Sequence, residues 1–224
     1  MEKHTYTDPV AKLLALGKQY GVTGARPDYL EMGFSRAHIP ELIRLVQDFE
    51  LANLPWDENE QESDAVYGQM HAWRTLTQLQ ATEAIPAMLN LLQSLDDNFD
   101  DYISTEVPRA LGMMGEAALI PSYELLKNQL HGANARIHAA STIAEIGKRH
   151  PELRRNCVRL LSDVLVDYKH NDSGVNSFLI LGLATLKSQE AVLLVEKAIR
   201  DGFVDTQFSG DFRMYKASIG LISR

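Results

Sequence analysis

Cysteine is nearly missing from this chain: Cys157 is the only one in 224 residues. A lone thiol closes no intramolecular disulfide and cannot by itself assemble a cysteine-based zinc site, which suits a reducing compartment. Long hydrophobic runs are also lacking. The opening stretch MEKHTYTDPVAKLLALGKQYG holds one short apolar segment broken by Lys12, below what a signal peptide or a membrane-spanning helix requires. The expectation is a cytoplasmic protein without a membrane partner. No glycine-rich phosphate loop, G-x-S-x-G elbow or H-E-x-x-H pair occurs, which removes the commonest nucleotide, serine-hydrolase and zinc-hydrolase readings.

Positive charge is scarce too. Lys and Arg number 22 against 30 Asp and Glu, a net charge of −8, whereas binding to a phosphate backbone rests on clustered cations releasing counterions. No nucleic-acid partner is expected. The deficit is uneven: residues 1–112 carry 18 acids and 8 bases (−10), residues 113–224 carry 12 and 14 (+2). Such an imbalance is either a set of solvated faces or a surface for a basic partner.

What is present in quantity is apolar residues, 45% of the chain, and their spacing is helical. Three runs, AHIPELIRLV, EAIPAMLNLL and ALIPSYELLK, place Ile-Pro ahead of an apolar stretch. Proline is tolerated in the first helical turn because its missing N–H would be unpaired there, so Pro40, Pro86 and Pro121 predict three helix starts. After Pro40 come Leu42, Ile43, Leu45, Val46 and Phe49; after Pro86 come Met88, Leu89, Leu92 and Leu95. Both sets give one-faced helices.

A second helix precedes each of these. Leu76 and Leu79 stand ten and seven residues before Pro86, and Leu111 and Met114 stand ten and seven before Pro121. HAASTIAEIGKRHPELRRNCVRLL repeats the pattern with Ile143 and Ile146, closing at Gly147 and restarting at Pro151. SFLILGLATLKSQEAVLLVEKAI repeats it again with Leu181. The offsets between Leu76, Leu111, Ile143 and Leu181 are 35, 32 and 38 residues, and a two-helix unit with that period predicts an α-solenoid. The fold class is therefore all-α, an α-α superhelix of about five helix pairs. One domain over 1–224 is expected, with 1–55 a divergent N-terminal unit and 206–224 a C-terminal cap. In the divergent unit Asp8 caps a helix that begins at Pro9 and carries Val10, Leu13, Leu14 and Leu16, paired with the helix after Pro40. Gly115 and Gly147 are expected as left-handed caps. Gly112 and Gly182, inside helices, imply a close helix–helix approach to offset a cost of about 1 kcal/mol each.

The segments ALGMMGEAALIP and TIAEIG resemble HEAT repeats of the phycobilisome-lyase-like kind. The combination of YLEMGF, HIPELIRL and HAWRTLTQLQ is similar to a bacterial HEAT-repeat family, over roughly residues 28–221. The resemblance implies a helical-repeat fold and says little of activity, because the repeat motif is packing chemistry. Some members of that family end in a cysteine-rich zinc tail; the present sequence has no counterpart, so no zinc-dependent role is carried over.

Several groups invite chemistry. Aligning the repeats puts His71, Glu106, His138 and Asn176 in one column, with Arg74 and Arg109 three residues on. Neighbouring helices lie about 8–10 Å apart and a zinc–histidine bond is about 2 Å, so the column reads as a surface polar ladder and not a metal site. Trp73 falls in an apolar column and reads as core. Cys157 shares its helix face with Leu153, Leu160, Leu161 and Val164, a buried structural thiol and not a nucleophile. The loop LANLPWDENEQESD spaces Asp57, Asn59 and Gln61 like a calcium loop but puts Glu62 where that loop needs glycine. Asp96, Asp97, Asp100 and Asp101 form a second acidic patch. Lys148, Arg149, Arg154, Arg155 and Arg159 are the one basic concentration. No catalytic set, cofactor or metal site emerges.

The reading is a non-enzymatic scaffold that binds a protein partner, a basic one on this charge pattern, along the second helices or an acidic rim. The residues expected to line that surface are Arg44, Asn90, Glu124, Arg155 and Arg159 on the second helices, with Asp57, Glu58, Glu60, Glu62 and Asp64 on the rim. Two alternatives stay open: an immunity or inhibitor protein masking a basic toxin, suggested by the acidic half, and a bilin-lyase-like enzyme or chaperone, suggested by the repeat subtype. A HEAT-type DNA glycosylase needs a positive groove, which the acidic balance opposes.

Overall fold

A computed structural model describes residues 5–18, 27–51, 54 and 63–223. Most of the 57–64 acidic loop, including Asp57, Glu58, Glu60 and Glu62, lies outside the described residues. The regular secondary structure of the described residues is entirely helical, without a strand. They fall into two compact units, Met1–Leu91 and Leu92–Arg224. No helix among them is long and apolar enough to cross a membrane.

In the first unit, α1 (Ile39–Val46) carries Pro40 at its second position and buries Ile39, Leu42, Leu45 and Val46. This one-faced stripe packs on α2 (Gly68–Gln78). The chain then enters α3 (Ile85–Ser94), with Pro86 again at the second position. Two of the three Ile-Pro starts therefore hold. The N-terminal segment differs from expectation. It forms a 3-10 turn over Val10–Ala15 with no side-chain cap, Asp8 pairing instead with Lys12 at 3.5 Å. That turn packs on α2 and on the 3-10 turn Asp64–Tyr67 rather than pairing with α1.

The second unit contains α4 (Asp101–Met113), α5 (Glu116–Lys127), α6 (Ala133–Arg149), α7 (Arg154–Leu165), α8 (Ser173–Thr185), α9 (Val192–Arg200) and two short helices, α10 (Thr206–Ser209) and α11 (Phe212–Ser218). Helices α4, α6 and α8 pack side by side as one row, and α5 and α7 pack against α6 and each other. The close approaches expected at the interior glycines are present. A Cβ on Gly112 would lie 2.8 Å from Glu145 Cβ, and one on Gly182 would lie 3.0 Å from Leu161 Cδ1.

Two helix ends differ from the sequence reading. Pro121 lies inside α5, which begins at Glu116. Its start is set by Gly115, whose φ of +63° turns the chain sharply after α4, a conformation that disfavours side chains with a Cβ. Gly147 does not close α6, which runs on to Arg149; there the glycine makes room for Cys157, whose Cβ would be 3.0 Å from an added methyl.

The ends of α2 and α8 reveal the repeat register. Gln80 and Lys187 both adopt φ of +50°. After α2, Gln80 N–H donates to Thr77 O at 3.1 Å and Ala81 N–H to Leu76 O at 3.0 Å; after α8, Lys187 N–H donates to Ala184 O and Ser188 N–H to Leu183 O, each at 2.9 Å. This paired pattern is the left-handed helix stop, usually built on glycine. It makes Leu183, not Leu181, the counterpart of Leu76. Leu183 is fully buried, like Leu76, Leu111 and Ile143, while Leu181 is half-buried.

Counting seven residues back from each core residue in that register reaches Ser104 in one unit, half-buried and donating within α4 to Asp101 O, and in the other three units Gln69, Arg136 and Asn176, all buried. Each of these three donates a side-chain hydrogen bond to a carbonyl at or just past the end of the preceding second helix: Gln69 to Val46 O at 2.9 Å, Arg136 to Leu126 O at 2.8 Å and Asn176 to Tyr168 O at 2.8 Å. Helix ends leave carbonyls without intrahelical partners, and these side chains cover one of them in each case. Asn176 also donates to Phe203 O at 2.8 Å.

Two mutations test this packing. Leu111→Ala opens a fully buried site and should lower stability by about 2–5 kcal/mol in denaturant titration; an unchanged midpoint would contradict the register. Asn176→Ala strands one buried and one part-buried carbonyl, the buried one worth about 1–3 kcal/mol, and should destabilise more than Asn90→Ala, at an exposed position. Equal melting temperatures for the two variants would contradict that.

Candidate functional site

The second helices place their off-stripe residues in solvent: Arg44, Asn90, Glu124, Arg155 and Arg159 are all exposed, as is Asp64 ahead of α2. Several are engaged within the chain. Arg44 stacks over the Tyr6 ring at 4.0 Å and donates to Thr5 O at 2.7 Å, while Tyr6 donates to Asp48 at 2.7 Å. Burial and that carboxylate push the Tyr6 hydroxyl well above its ordinary pKa. Glu124 pairs with Lys127 at 2.8 Å and Arg159 with Asp163 at 3.3 Å. Asn90 and Arg155 make no such contact among the described residues.

Half of the acidic patch at 96–101 is structural. Asp96 accepts the Gly132 and Ala135 N–H groups at 2.9 and 3.1 Å, covering the open start of α6; Asp100 accepts Ile103 N–H at 2.7 Å and caps α4. Carboxylates at helix N-termini satisfy orphan donors and complement the helix dipole. The basic concentration is similarly absorbed. Lys148 and Arg149 flank Glu145 at 3.3 and 3.1 Å. Arg154 donates to the terminal carbonyls of α8, Leu186 O at 2.7 Å and Lys187 O at 3.1 Å, and pairs with Glu190 at 3.0 Å.

The polar column is not a surface ladder. His71 and Asn176 are fully buried, Glu106 nearly so, and His138 half-buried, because first helices have packed neighbours where the sequence reading placed water. His71 holds the first unit's N-terminal segment to α2: its Nε2 lies 2.9 Å from Gly17 O and its Nδ1 2.7 Å from the Tyr29 hydroxyl. A carbonyl only accepts, so Nε2 carries the proton and Tyr29 donates to Nδ1. Trp73 is buried core as expected. Cys157 is fully buried, and burial pushes its thiol up to about 11, away from a reactive thiolate. Among the described residues no cluster of three or more His, Cys, Asp or Glu could hold a metal.

Sequence reasoning missed a row of rings that runs from the loop before α4 across α6 and α8 to α10. Phe99, His138, Phe178 and Phe208 form a continuous row with ring centroids 6.3, 6.5 and 6.1 Å apart. Its end members are 57% and 60% exposed, so the row is not spent on the core. Burial among these rings lowers the His138 pKa, opposed by Asp96, which favours the neutral imidazole. Beside Phe178 lies a recess of about 350 Å³ whose walls include Thr105, Arg109, Ser141 and Leu181. The available signal was the shared column of Arg74 and Arg109, but the walls come from three helices distant in sequence. Compared with family models, curated proteins and solved structures, the chain matches none.

The Arg154–Glu190 pair carries a pH signature. The Arg154 hydrogen bond, first among the causes, holds the Glu190 carboxyl down to about 2, against 4.5 for an unperturbed glutamate. A carboxyl depressed in the folded state adds stability above its unfolded pKa and loses it as pH falls through the folded one. Glu190→Gln should therefore remove part of the acid sensitivity between about pH 4.5 and 2, a modest part because the carboxylate is largely exposed. Urea midpoints against pH, wild type and variant, check this; parallel curves would contradict it.

Proposed function

We propose that the chain is a HEAT-like helical-repeat module of about five helix pairs that binds a protein partner and catalyses nothing itself. Three features support the repeat reading: the two-helix period, the recurring left-handed stop at Gln80 and Lys187, and the recurring donor at Gln69, Arg136 and Asn176. The absorption of charged side chains into caps and helix ends supports a binding role over a catalytic one.

The observation that carries the binding role is the aromatic row. Exposed apolar residues scattered singly are ordinary, whereas here two exposed rings are joined through half-buried His138 and Phe178, and a contiguous apolar patch marks an interaction surface. Phe99 and Phe208 contribute little to folding at 57% and 60% exposure, and aromatic side chains are enriched in contacts that dominate binding energy. The second helices remain a second surface, favoured by Arg155, an exposed cation with no ion pair among the described residues. In the second acidic patch Asp96 and Asp100 are occupied as caps, while Asp57, Glu58, Glu60 and Glu62 of the rim lie outside the described residues.

Capture of the partner from the native cell by mass spectrometry supplies the ligand for a quantitative test. The double variant Phe99→Ser, Phe208→Ser should weaken that partner about thirtyfold or more, as loss of a hot spot of about 2 kcal/mol does. Arg155→Glu with Arg159→Glu should change affinity less than threefold, on the order of 0.7 kcal/mol. The reverse ranking, with both proteins folded, moves the interface to the second helices; wild-type affinity in both refutes either surface.

A further inference from the structure

We infer that the recess between α4, α6 and α8 is a binding site for a carboxylate carried on a small flat apolar group. The inference goes beyond the partner-binding reading and needs no partner for its test.

It begins with one side chain. Among the described arginines, Arg36, Arg136, Arg149, Arg154, Arg159 and Arg200 each have a carboxylate or carbonyl partner, Arg44 has Thr5 O, and buried Arg74 is also engaged. Arg155 and Arg213 show none, but both are exposed and hydrated. Arg109 is the exception: it is half-buried, it lines a recess, and no hydrogen bond or ion pair to it occurs among the described residues. A guanidinium withdrawn partly from water without a direct hydrogen-bond partner is unfavourable, and an anion entering the recess supplies that partner.

The surroundings narrow the anion. Glu145 also borders the recess, but its two oxygens are engaged by Lys148 and Arg149. Arg109 is thus the one cation of the lining, and it has no direct partner among the described residues. One guanidinium fork matches one carboxylate in bidentate geometry. A phosphate dianion would bring a second negative charge toward Glu145 with no second free cation to meet it. The Ser141 hydroxyl donates to Ile137 O at 3.1 Å, which leaves its oxygen to accept from a ligand.

The apolar part follows from the opposite wall. Phe178 and Leu181 line it, and Leu181 is half-buried although it has no place in the core. The floor is close-packed where Gly112 lets α4 approach Glu145 and Gly182 lets α8 approach Leu161 and Ala144, so the recess is shaped by backbone contact. A volume of about 350 Å³ stands at the small end of ligand pockets and holds roughly one ring with a short acidic arm. The carboxylate could belong to a free aromatic acid or to the C-terminal residue of a peptide, which present the same chemistry.

The test uses the full-length protein, isotope-labelled for NMR, titrated with phenylacetate, its neutral amide, phenyl phosphate and N-acetylphenylalanine. Phenylacetate should shift resonances of residues around the recess and saturate with a dissociation constant on the order of 1 mM. The amide should bind at least about tenfold more weakly, a difference of about 1.4 kcal/mol. Arg109→Gln should abolish phenylacetate binding and Arg109→Lys should retain part of it. Thr105→Trp, at an exposed position, should block the recess while the circular dichroism spectrum and melting temperature stay near wild type. Tighter binding of N-acetylphenylalanine than phenylacetate assigns the natural carboxylate to a peptide terminus, and the reverse order to a free acid. The inference is overturned if acid and amide bind alike, if phenyl phosphate binds more tightly than phenylacetate, if folded Arg109→Gln binds as wild type, or if no saturable shift appears by tens of millimolar.

Discussion

A helix packed on several sides has nowhere to put its polar groups, and that constraint organises this protein. Helix α6 touches α4, α5, α7 and α8, so its polar residues are interior unless they stand at its ends. A buried polar atom without a partner costs about 1–3 kcal/mol. The chain meets this by aiming buried side chains at the backbone of the preceding helix end. Arg136 is the clearest case: its Nε covers Leu126 O while its Nη2 reaches Asn171 Oδ1 at 2.6 Å, so one buried cation joins α5, α6 and the turn before α8. The same logic draws Asp96 across to the start of α6 and Arg154 to the end of α8. Charges that look like patches in the sequence are, in the fold, the means by which helix ends are closed.

This explains which parts of the fold were legible. Helices whose apolar residues keep to one stripe, such as α1, announce both their existence and their buried face. Helix α8 does not: Val175, Leu179, Ile180, Leu181 and Leu183 surround it on most sides, so periodicity has no preferred phase. The two-residue slip from Leu183 to Leu181 followed, and it carried Asn176 into the wrong column. Helix starts were legible where proline falls in the first turn, as at Pro40 and Pro86. At Pro121 the stronger signal was Gly115, because a left-handed residue dictates where the chain turns and proline merely tolerates where it is put. The left-handed stops at Gln80 and Lys187 carried no glycine to announce them.

The candidate surfaces divide along the same line. Exposure of Arg44, Asn90, Glu124, Arg155 and Arg159 could be read from helical phase alone, since each lies off a clear apolar stripe. Their engagement could not: that Arg44 is tied to Tyr6 and Thr5 depends on a segment far away in sequence. The buried donor column was invisible for a chemical reason. Glutamine, arginine and asparagine fill three of its four places, where the requirement is an N–H that reaches a carbonyl and residue identity is free beyond that; Ser104 in the fourth bonds within its own helix.

In the corrected register the column five residues before the core leucine reads His71, Glu106, His138 and Phe178. Its first member is fixed between Gly17 and Tyr29, a packing role that a repeat can supply anywhere. The later members depart from it. His138 is half-buried among rings, where burial lowers its pKa, and Phe178 is bordered by Phe208 on one side and by the recess of Arg109 on the other. A repeat that only had to stack could fill these positions with the small or apolar residues found elsewhere in the same row, such as Ala140 and Ala144. A partly exposed aromatic row and a half-buried cation without a direct hydrogen-bond partner are both unfavourable and unnecessary for stacking. The physical case for function therefore rests on where this chain departs from its own repeat.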